Sequence, residues 1–431
     1  MSPDVLKLTL PHGRDRVWLV ALFLAMPLLL LPTSRLFMFP HELLSLVGIY
    51  FLVRERGALW RDDPGMRAYL AAMLALWLPM LFSAVDTVAP AESWLTTLLF
   101  PLFALAGVGV IALLRKTPVY GPVYAVMAIA LAFCAVDATL QTVIGRDFFG
   151  IDLVRDGVDG HRASSLFYSH PNKFGFYMGM FGALPLYVLH AWGARRHWHI
   201  AAMILLFTGA LVGGSRDGWL MFGWAFLPYF YLEFLRGAKR PWLPVVLALV
   251  MAPVAFWGVM KISPGVQERF KQSSRAGQLD YRSVNDASSG RIDIWIAAAR
   301  MGLSHPVNGV GVGAFRKVFQ NYLPAQSTWP QGLEALHPHQ VVLEIWAGSG
   351  VPGLAGFGMV WILAWRLCRS ATTAQRRAAW PALIAAATLW WPLNTHRAFY
   401  GSELTTLTLF LLSFAFAALT ARGGAGAASE G

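Results

Sequence analysis

The stretch Val17–Pro32, VWLVALFLAMPLLLLP, carries no charge and directly follows Arg14 and Arg16. A helix that crosses a bilayer needs roughly 20 mostly apolar residues, and this run with its flanks meets that length. A basic flank and an apolar centre also describe a signal peptide. No small-residue cleavage site follows, however, and eleven further runs of the same kind do, so it reads as a retained first helix. Working outward, apolar stretches lie near 17–33, 36–53, 67–85, 93–114, 119–144, 174–192, 198–214, 218–235, 242–260, 340–365, 379–394 and 402–421. Across the 431 residues 56% are hydrophobic and 13% charged, more apolar than the core of a soluble domain requires. The expected fold is an all-α polytopic membrane protein of about 12 transmembrane helices.

Lys and Arg in short loops are retained on the cytoplasmic side, so their distribution sets the orientation. With the N-terminus inside, the cytoplasmic loops hold Lys7, Arg14, Arg16, Arg54, Arg56, Arg61, Arg67, Arg115, Lys116, Arg195, Arg196, Arg236, Lys239, Arg240, Arg366, Arg369, Arg376, Arg377 and Arg422. These are 19 of 35 basic residues, whereas the short loops opposite hold Arg35, Arg216 and Arg397. Both termini are therefore expected inside. The net charge of +12 partly restates this bias, and no nucleic-acid-binding pattern accompanies it. Cys134 falls in a span and Cys368 at a cytoplasmic span end, so they suit neither a disulfide nor a metal pair.

Short loops join most spans, which implies one membrane domain over 1–431. Two outer segments are longer: Arg146–Lys173, and Lys261–Pro338 (261–338), which carries nine basic and five acidic residues. The second is too long to lack structure. Within it Ser288, Ser289 and Gly290 precede Ile292, Trp295, Ile296 and Ala299 at i, i+3, i+4, i+7, with Asp293 in the first turn and Arg300 near the last. That pattern predicts a capped amphipathic helix lying on the bundle. The run Gly309-Val310-Gly311-Val312-Gly313 lacks the spacing and βαβ context of a dinucleotide loop and reads as a tight turn.

Polar residues gather in outer segments although the chain crosses the membrane many times between them. They include Arg162, Ser169, His170, Asn172 and Lys173; Ser215-Arg216-Asp217; Ser289-Gly290-Arg291; His337-Pro338-His339-Gln340; and Asn394-Thr395-His396-Arg397. Arg216 adjoins a span end, where a charge must snorkel, pair with a neighbour such as Asp217, or hold an anion. Arg291 opens a helix whose dipole disfavours a cation there; a phosphate bound by that helix start together with an arginine would resolve the mismatch, and an exposed arginine without a role is the alternative. His339 stands between a proline and an apolar helix, a partly dry setting for a general base, with a capping role as the alternative. His337, two residues away, is expected to point elsewhere. No acidic pair or third ligand suits a metal, and no serine-hydrolase elbow appears.

Ser215-Arg216, Ser289-Gly290-Arg291-x-x-x-Trp295, His305-Pro306-x-x-Gly309-x-Gly311, and His337-Pro338-His339-Gln340 followed by Glu344 and Gly348-x-Gly350 together resemble the O-antigen ligase (WaaL) family of the O-antigen ligase/polymerase superfamily. Gln340 departs from the asparagine expected there. The resemblance spans the chain, and it implies an architecture like that of a GT-C type glycosyltransferase with 261–338 as a large, partly helical periplasmic loop. By the same resemblance the protein is a glycosyltransferase of the bacterial inner membrane in lipopolysaccharide biosynthesis, inverting, metal-independent and without a cofactor. The implied partners are an O-antigen glycan on undecaprenyl pyrophosphate as donor, a lipid A–core hydroxyl as acceptor, and membrane lipids. Arg216 and Arg291 would bind the pyrophosphate and His339 would act as base. His337, Arg162, His170, Asn172 and Arg397 are candidates for acceptor contacts or support. An O-antigen polymerase or a protein O-glycosyltransferase uses the same donor; about ten residues follow the last span, an expectation against a soluble extension that holds a protein acceptor. A transporter or lipid flippase should show mid-membrane ionisable groups or paired broken helices, and Asp137 is the one clear candidate.

Overall fold

The computed structural model describes residues 14–421 except 34–35, 56, 157–159, 168–169, 232–234, 236–239, 241, 275–276, 278–279 and 392–397. Each apolar stretch of the sequence is helical over most of its described residues. In chain order the helices are α1 (Arg14–Leu29), α2 (Met38–Glu55), α3 (Ala58–Arg61), α4 (Pro64–Val85), α5 (Pro90–Lys116), α6 (Tyr120–Ile144), α7 (Pro171–Phe181), α8 (Leu184–Ala191), α9 (Arg196–Val212), α10 (Arg216–Phe230) and α11 (Trp242–Ile262). The long segment then contributes α12 (Pro264–Ser274), α13 (Tyr281–Ala287), α14 (Arg291–Ser304) and α15 (Phe315–Val318), before α16 (Val341–Ser370), α17 (Thr373–Leu389) and α18 (Ser402–Leu419).

Among the described residues seven helical segments are long and apolar enough to cross a membrane: those of α1, α4, α5, α6, α7 with α8, α16 and α18. The remaining long helices, α2, α9, α10, α11 and α17, are shorter, more charged or only partly described. The chain is thus an all-α, multi-pass membrane protein. On α4, Leu74, Leu78 and Phe82 recur every fourth residue and stay half exposed, an apolar stripe suited to lipid. By contrast α18 is buried along nearly its whole length and forms the centre of the bundle.

Polar contacts separate into two ends. At one, Arg115 pairs with Asp63 at 3.1 Å, Lys116 with Glu55 at 3.2 Å, and the Tyr124 hydroxyl donates to the Ala378 carbonyl at 2.7 Å. At the other, the Asn308 amide donates to Asp86 at 3.2 Å, Lys317 pairs with Glu92 at 3.3 Å, and Lys173 faces Glu403 at 3.8 Å. Among the described residues, the segments that carry Arg162, Asn172, Arg216, Arg291 and His339 lie toward this second end.

Two features there were not in the sequence reading. A short antiparallel hairpin pairs β1 (Val154–Asp156) with β2 (Gly160–Arg162) inside the first outer segment. Asp137, the candidate mid-membrane charge, is instead a tether for that segment: its carboxylate accepts from the Phe148 N–H at 2.8 Å and the Ser165 hydroxyl at 2.6 Å. One turn on, the Gln141 side chain accepts from the Ser164 and Ser165 N–H groups and donates to the carbonyls of Ile151 and Asp152. Buried polar groups at a helix end are thereby satisfied by the loop they hold.

α16 is broken at Gly350, whose φ of 63° and ψ of −158° are not helical. Carbonyls released by such a break need new donors. The glycine run supplies them: Val310 N–H donates to the Ala347 carbonyl at 2.8 Å, Gly311 N–H to Gly348 at 3.2 Å, and the Ser83 hydroxyl joins at Gly348 at 2.6 Å. Gly311 has φ 114°, and a Cβ there would lie 1.8 Å from the Thr87 hydroxyl. The run is a tight structural turn, as its spacing implied, and its glycines answer to backbone shape and crowding.

Candidate functional site

The site is built on the turn between α9 and α10. Gly213 ends α9, Gly214 takes φ 60°, and the Ser215 hydroxyl caps α10 by accepting from the Gly218 N–H at 3.3 Å. Arg162, from β2, is 2% exposed and holds this turn in place. Its Nε and Nη2 both donate to the Gly213 carbonyl, at 3.0 and 2.7 Å, and Nη2 also donates to Asn172 Oδ1 at 2.7 Å. The turn thus presents Arg216, the first residue of α10, to the long segment.

Arg216 does not turn to Asp217. Nη1 donates to the Ser273 hydroxyl at 3.1 Å and to the Ala287 carbonyl, and Nη2 donates to the Ser289 hydroxyl at 2.8 Å. A planar fork reaching three acceptors on two helices and the bend after them is geometry that lysine cannot reproduce. The bend itself is tight, with Ser289 at φ 60° and Gly290 at φ 77°. Arg291 follows, partly buried, as the first residue of α14.

The expected α14 is present, with two differences. No side chain caps it at Gly290; instead the Asn285 Oδ1 accepts from the Asp293 N–H at 3.2 Å, while Asn285 Nδ2 and the Tyr281 hydroxyl donate to the buried Asp293 carboxylate. Its buried face is Ile294, Ala297, Ala298 and Met301 rather than Ile292, Trp295, Ile296 and Ala299. The helix is apolar nearly all round, and the small alanines allow the closer approach, so packing selected that face.

Four guanidinium groups converge here. Burial lowers the pKa of Arg216 to about 10, and the charges of Arg291, Arg269 and Arg162 act in the same direction. Burial also lowers Arg291, opposed by the carboxylate of Asp217 and reinforced by Arg269. Arg216 stays protonated at neutral pH, so the cluster is a fixed concentration of positive charge with one carboxylate inside it. Like charges held this close are relieved by a bound anion, and backbone-rich, arginine-lined concavities suit phosphate. Arg269, on α12, was not singled out from the sequence. Its signal was the polar spacing Arg269, Gln272, Ser273 at i, i+3, i+4.

His339 lies at the same end. Gly302 of α14 packs on the Trp346 indole, where a Cβ would come within 2.6 Å of the ring, and four residues later Pro306 O accepts from Val351 N–H at 2.8 Å. α14 and α16 therefore advance in the same direction.

The expectation that His337 and His339 diverge is corrected. His339 adopts φ 54°, which folds the chain back so that the two rings lie 3.9 Å apart, centroid to centroid. His337 Nδ1 accepts from the His339 backbone N–H at 3.2 Å, which places the proton of a neutral His337 on Nε2. Gln340 caps α16 by accepting from the Leu343 N–H, a role any amide side chain can fill. Glu344 is a further anchor: its carboxylate accepts from the Phe399 and Tyr400 N–H groups at 2.7 and 3.2 Å.

Of the other candidates, Asn172 joins the site through Arg162. His170 is exposed at the start of α7 and makes no side-chain cap there. Arg397, with Asn394 to His396, lies outside the described residues, as does Ser169. Among the described residues no group of three or more His, Cys, Asp or Glu side chains gathers as a metal site would.

Residues 201–358 match the family model described as O-antigen ligase. Over that segment the chain is similar to the O-antigen ligase family. The match contains Arg216, Arg269, Arg291, His337, His339 and Glu344; Arg162 and Asn172, which hold the Gly213 turn, lie outside it. A search of curated proteins finds no match to this chain.

Proposed function

We propose that the protein is an O-antigen ligase that transfers an O-antigen glycan from undecaprenyl pyrophosphate to a hydroxyl of lipid A–core, at the periplasmic face of a bacterial inner membrane crossed about twelve times. The observation that carries this reading is that Arg216, through Ser289, is fastened to the bend that presents Arg291, at the end of the bundle where His339 also lies. His339 takes the proton of the acceptor hydroxyl as its oxygen attacks the anomeric carbon. The C–O bond to the diphosphate breaks as the new glycosidic bond forms, with inversion. Arg216 and Arg291 stabilise the charge that builds on the leaving diphosphate, which is the work a metal ion would otherwise do. The clustered positive charge favours this over a neutral-substrate transporter, and the tethering role of Asp137 removes the mid-membrane charge on which transport would draw.

The test mixes purified protein, a lipid-linked O-antigen donor and core-only lipopolysaccharide, with and without EDTA. Ligated product in both conditions, lost with His339→Ala, is the expected result. No product, or product unchanged in that variant, overturns the mechanism. Polymerised donor formed without acceptor would identify an O-antigen polymerase instead.

A further inference from the structure

We infer that α12 forms a third wall of the anion site and that its Arg269 binds the donor diphosphate directly, alongside Arg216 and Arg291. This rests on the ligase reading and extends it to a helix that the sequence motifs do not include. Three positions of α12 on one face are turned to the site. Ser273 accepts from Arg216 Nη1 at 3.1 Å, and Gln272 Nε2 lies 3.4 Å from the Ser289 hydroxyl that also receives Arg216 Nη2. Arg269 stands one turn before them, with Nη1 donating to Gln272 Oε1 at 3.2 Å. Its charge lowers the pKa of both Arg216 and Arg291, the same direction as their burial.

The chemistry gives that third cation a purpose. The leaving lipid diphosphate has two charged phosphoryl units, and the terminal one gains a further negative charge as the C–O bond to the sugar breaks. Two guanidinium groups on α10 and α14 can fork onto one unit or bridge both; a third from α12 lets every phosphoryl oxygen that gains charge meet a donor. Val266, buried and seven residues before Ser273, lies on the same side of α12 and seats it against the bundle, so Arg269, Gln272 and Ser273 are held on its inner side while Glu268, Phe270 and Lys271 stay exposed.

The experiment compares Arg269→Gln, Arg269→Lys and Arg216→Gln in the purified full chain, measuring the KM for lipid-linked donor, kcat, inhibition by inorganic pyrophosphate, and thermal unfolding. The expected result is a rise of about tenfold or more in both the donor KM and the pyrophosphate inhibition constant for Arg269→Gln. Arg269→Lys should recover part of it, with unfolding temperature unchanged. Constants within twofold of the unsubstituted protein overturn the inference, as does an equal loss in both Arg269 variants accompanied by a lowered unfolding temperature, which would mark a structural role. If Arg269→Gln alone is silent while Arg216→Gln impairs donor use, only this inference fails; if both are silent, the ligase reading of the pocket fails with it.

Discussion

Arg216 Nη2 donates to the Ser289 hydroxyl at 2.8 Å, joining residues 73 positions apart in the chain. That bond fastens the start of α10 to the bend that presents Arg291. A single side chain therefore ties α10 to α12, to α13 and to that bend.

Replacement of Arg216 by alanine removes the donors to Ser273, Ala287 and Ser289. Transfer should fall by roughly 100- to 1,000-fold, the effect of losing a charged donor from a preorganised site. Lysine restores the charge and not the fork, so Arg216→Lys should stay closer to the alanine variant than to the unsubstituted protein. Initial rates of ligation measure both, and full activity in the lysine variant would contradict the bidentate role.

The two histidines should separate kinetically. His339→Ala is expected to lower kcat by about 10²- to 10⁴-fold with donor KM little changed, as for loss of a general base. His337→Ala removes the acceptor that steadies the His339 backbone and the ring against the His339 imidazole, and should cost about tenfold. The opposite ranking would assign the proton transfer to His337.

Gly311→Ala places a methyl group 1.8 Å from the Thr87 hydroxyl position at φ 114°. A destabilisation of about 2–5 kcal/mol is expected from crowding and backbone strain together. Gly358 in α16 has open space around it, so Gly358→Ala should be neutral or stabilising by less than about 1 kcal/mol. Thermal unfolding in detergent compares the two, and equal behaviour would refute the proposed function of the glycine run as a splint for the broken helix.

Arg162→Leu leaves the Gly213 carbonyl and Asn172 without their buried donor. Stability should fall by about 1–3 kcal/mol, and donor use should weaken with it because the turn that carries Arg216 loosens. Asn172→Ala is expected to act in the same direction with smaller size. Unaltered unfolding and unaltered KM in Arg162→Leu would show that the turn holds its shape alone.

The apolar runs were legible because each is a local, one-dimensional property: a bilayer-length stretch of side chains has few folded alternatives to a helix. Where chain geometry intervened, local reading lost accuracy. His337 and His339 were expected to diverge from their spacing of two, yet one positive φ at His339 brought the rings together. α14 was foreseen, while its buried face was not, since an almost wholly apolar helix has no marked side until a partner selects one.

By itself the sequence determined the helices, the two long segments at one end, and the identity of Arg216, Arg291 and His339 as residues in need of an explanation. Only the tertiary structure decided that Arg162 grips the Gly213 turn, that Arg269 joins the arginines from α12, and that Asp137 ties down a loop. The physical reason is range. Hydrophobic length and turn chemistry act between neighbours in the chain, whereas hydrogen bonds to a distant carbonyl and the repulsion among four guanidinium groups exist only once packing has brought those segments together.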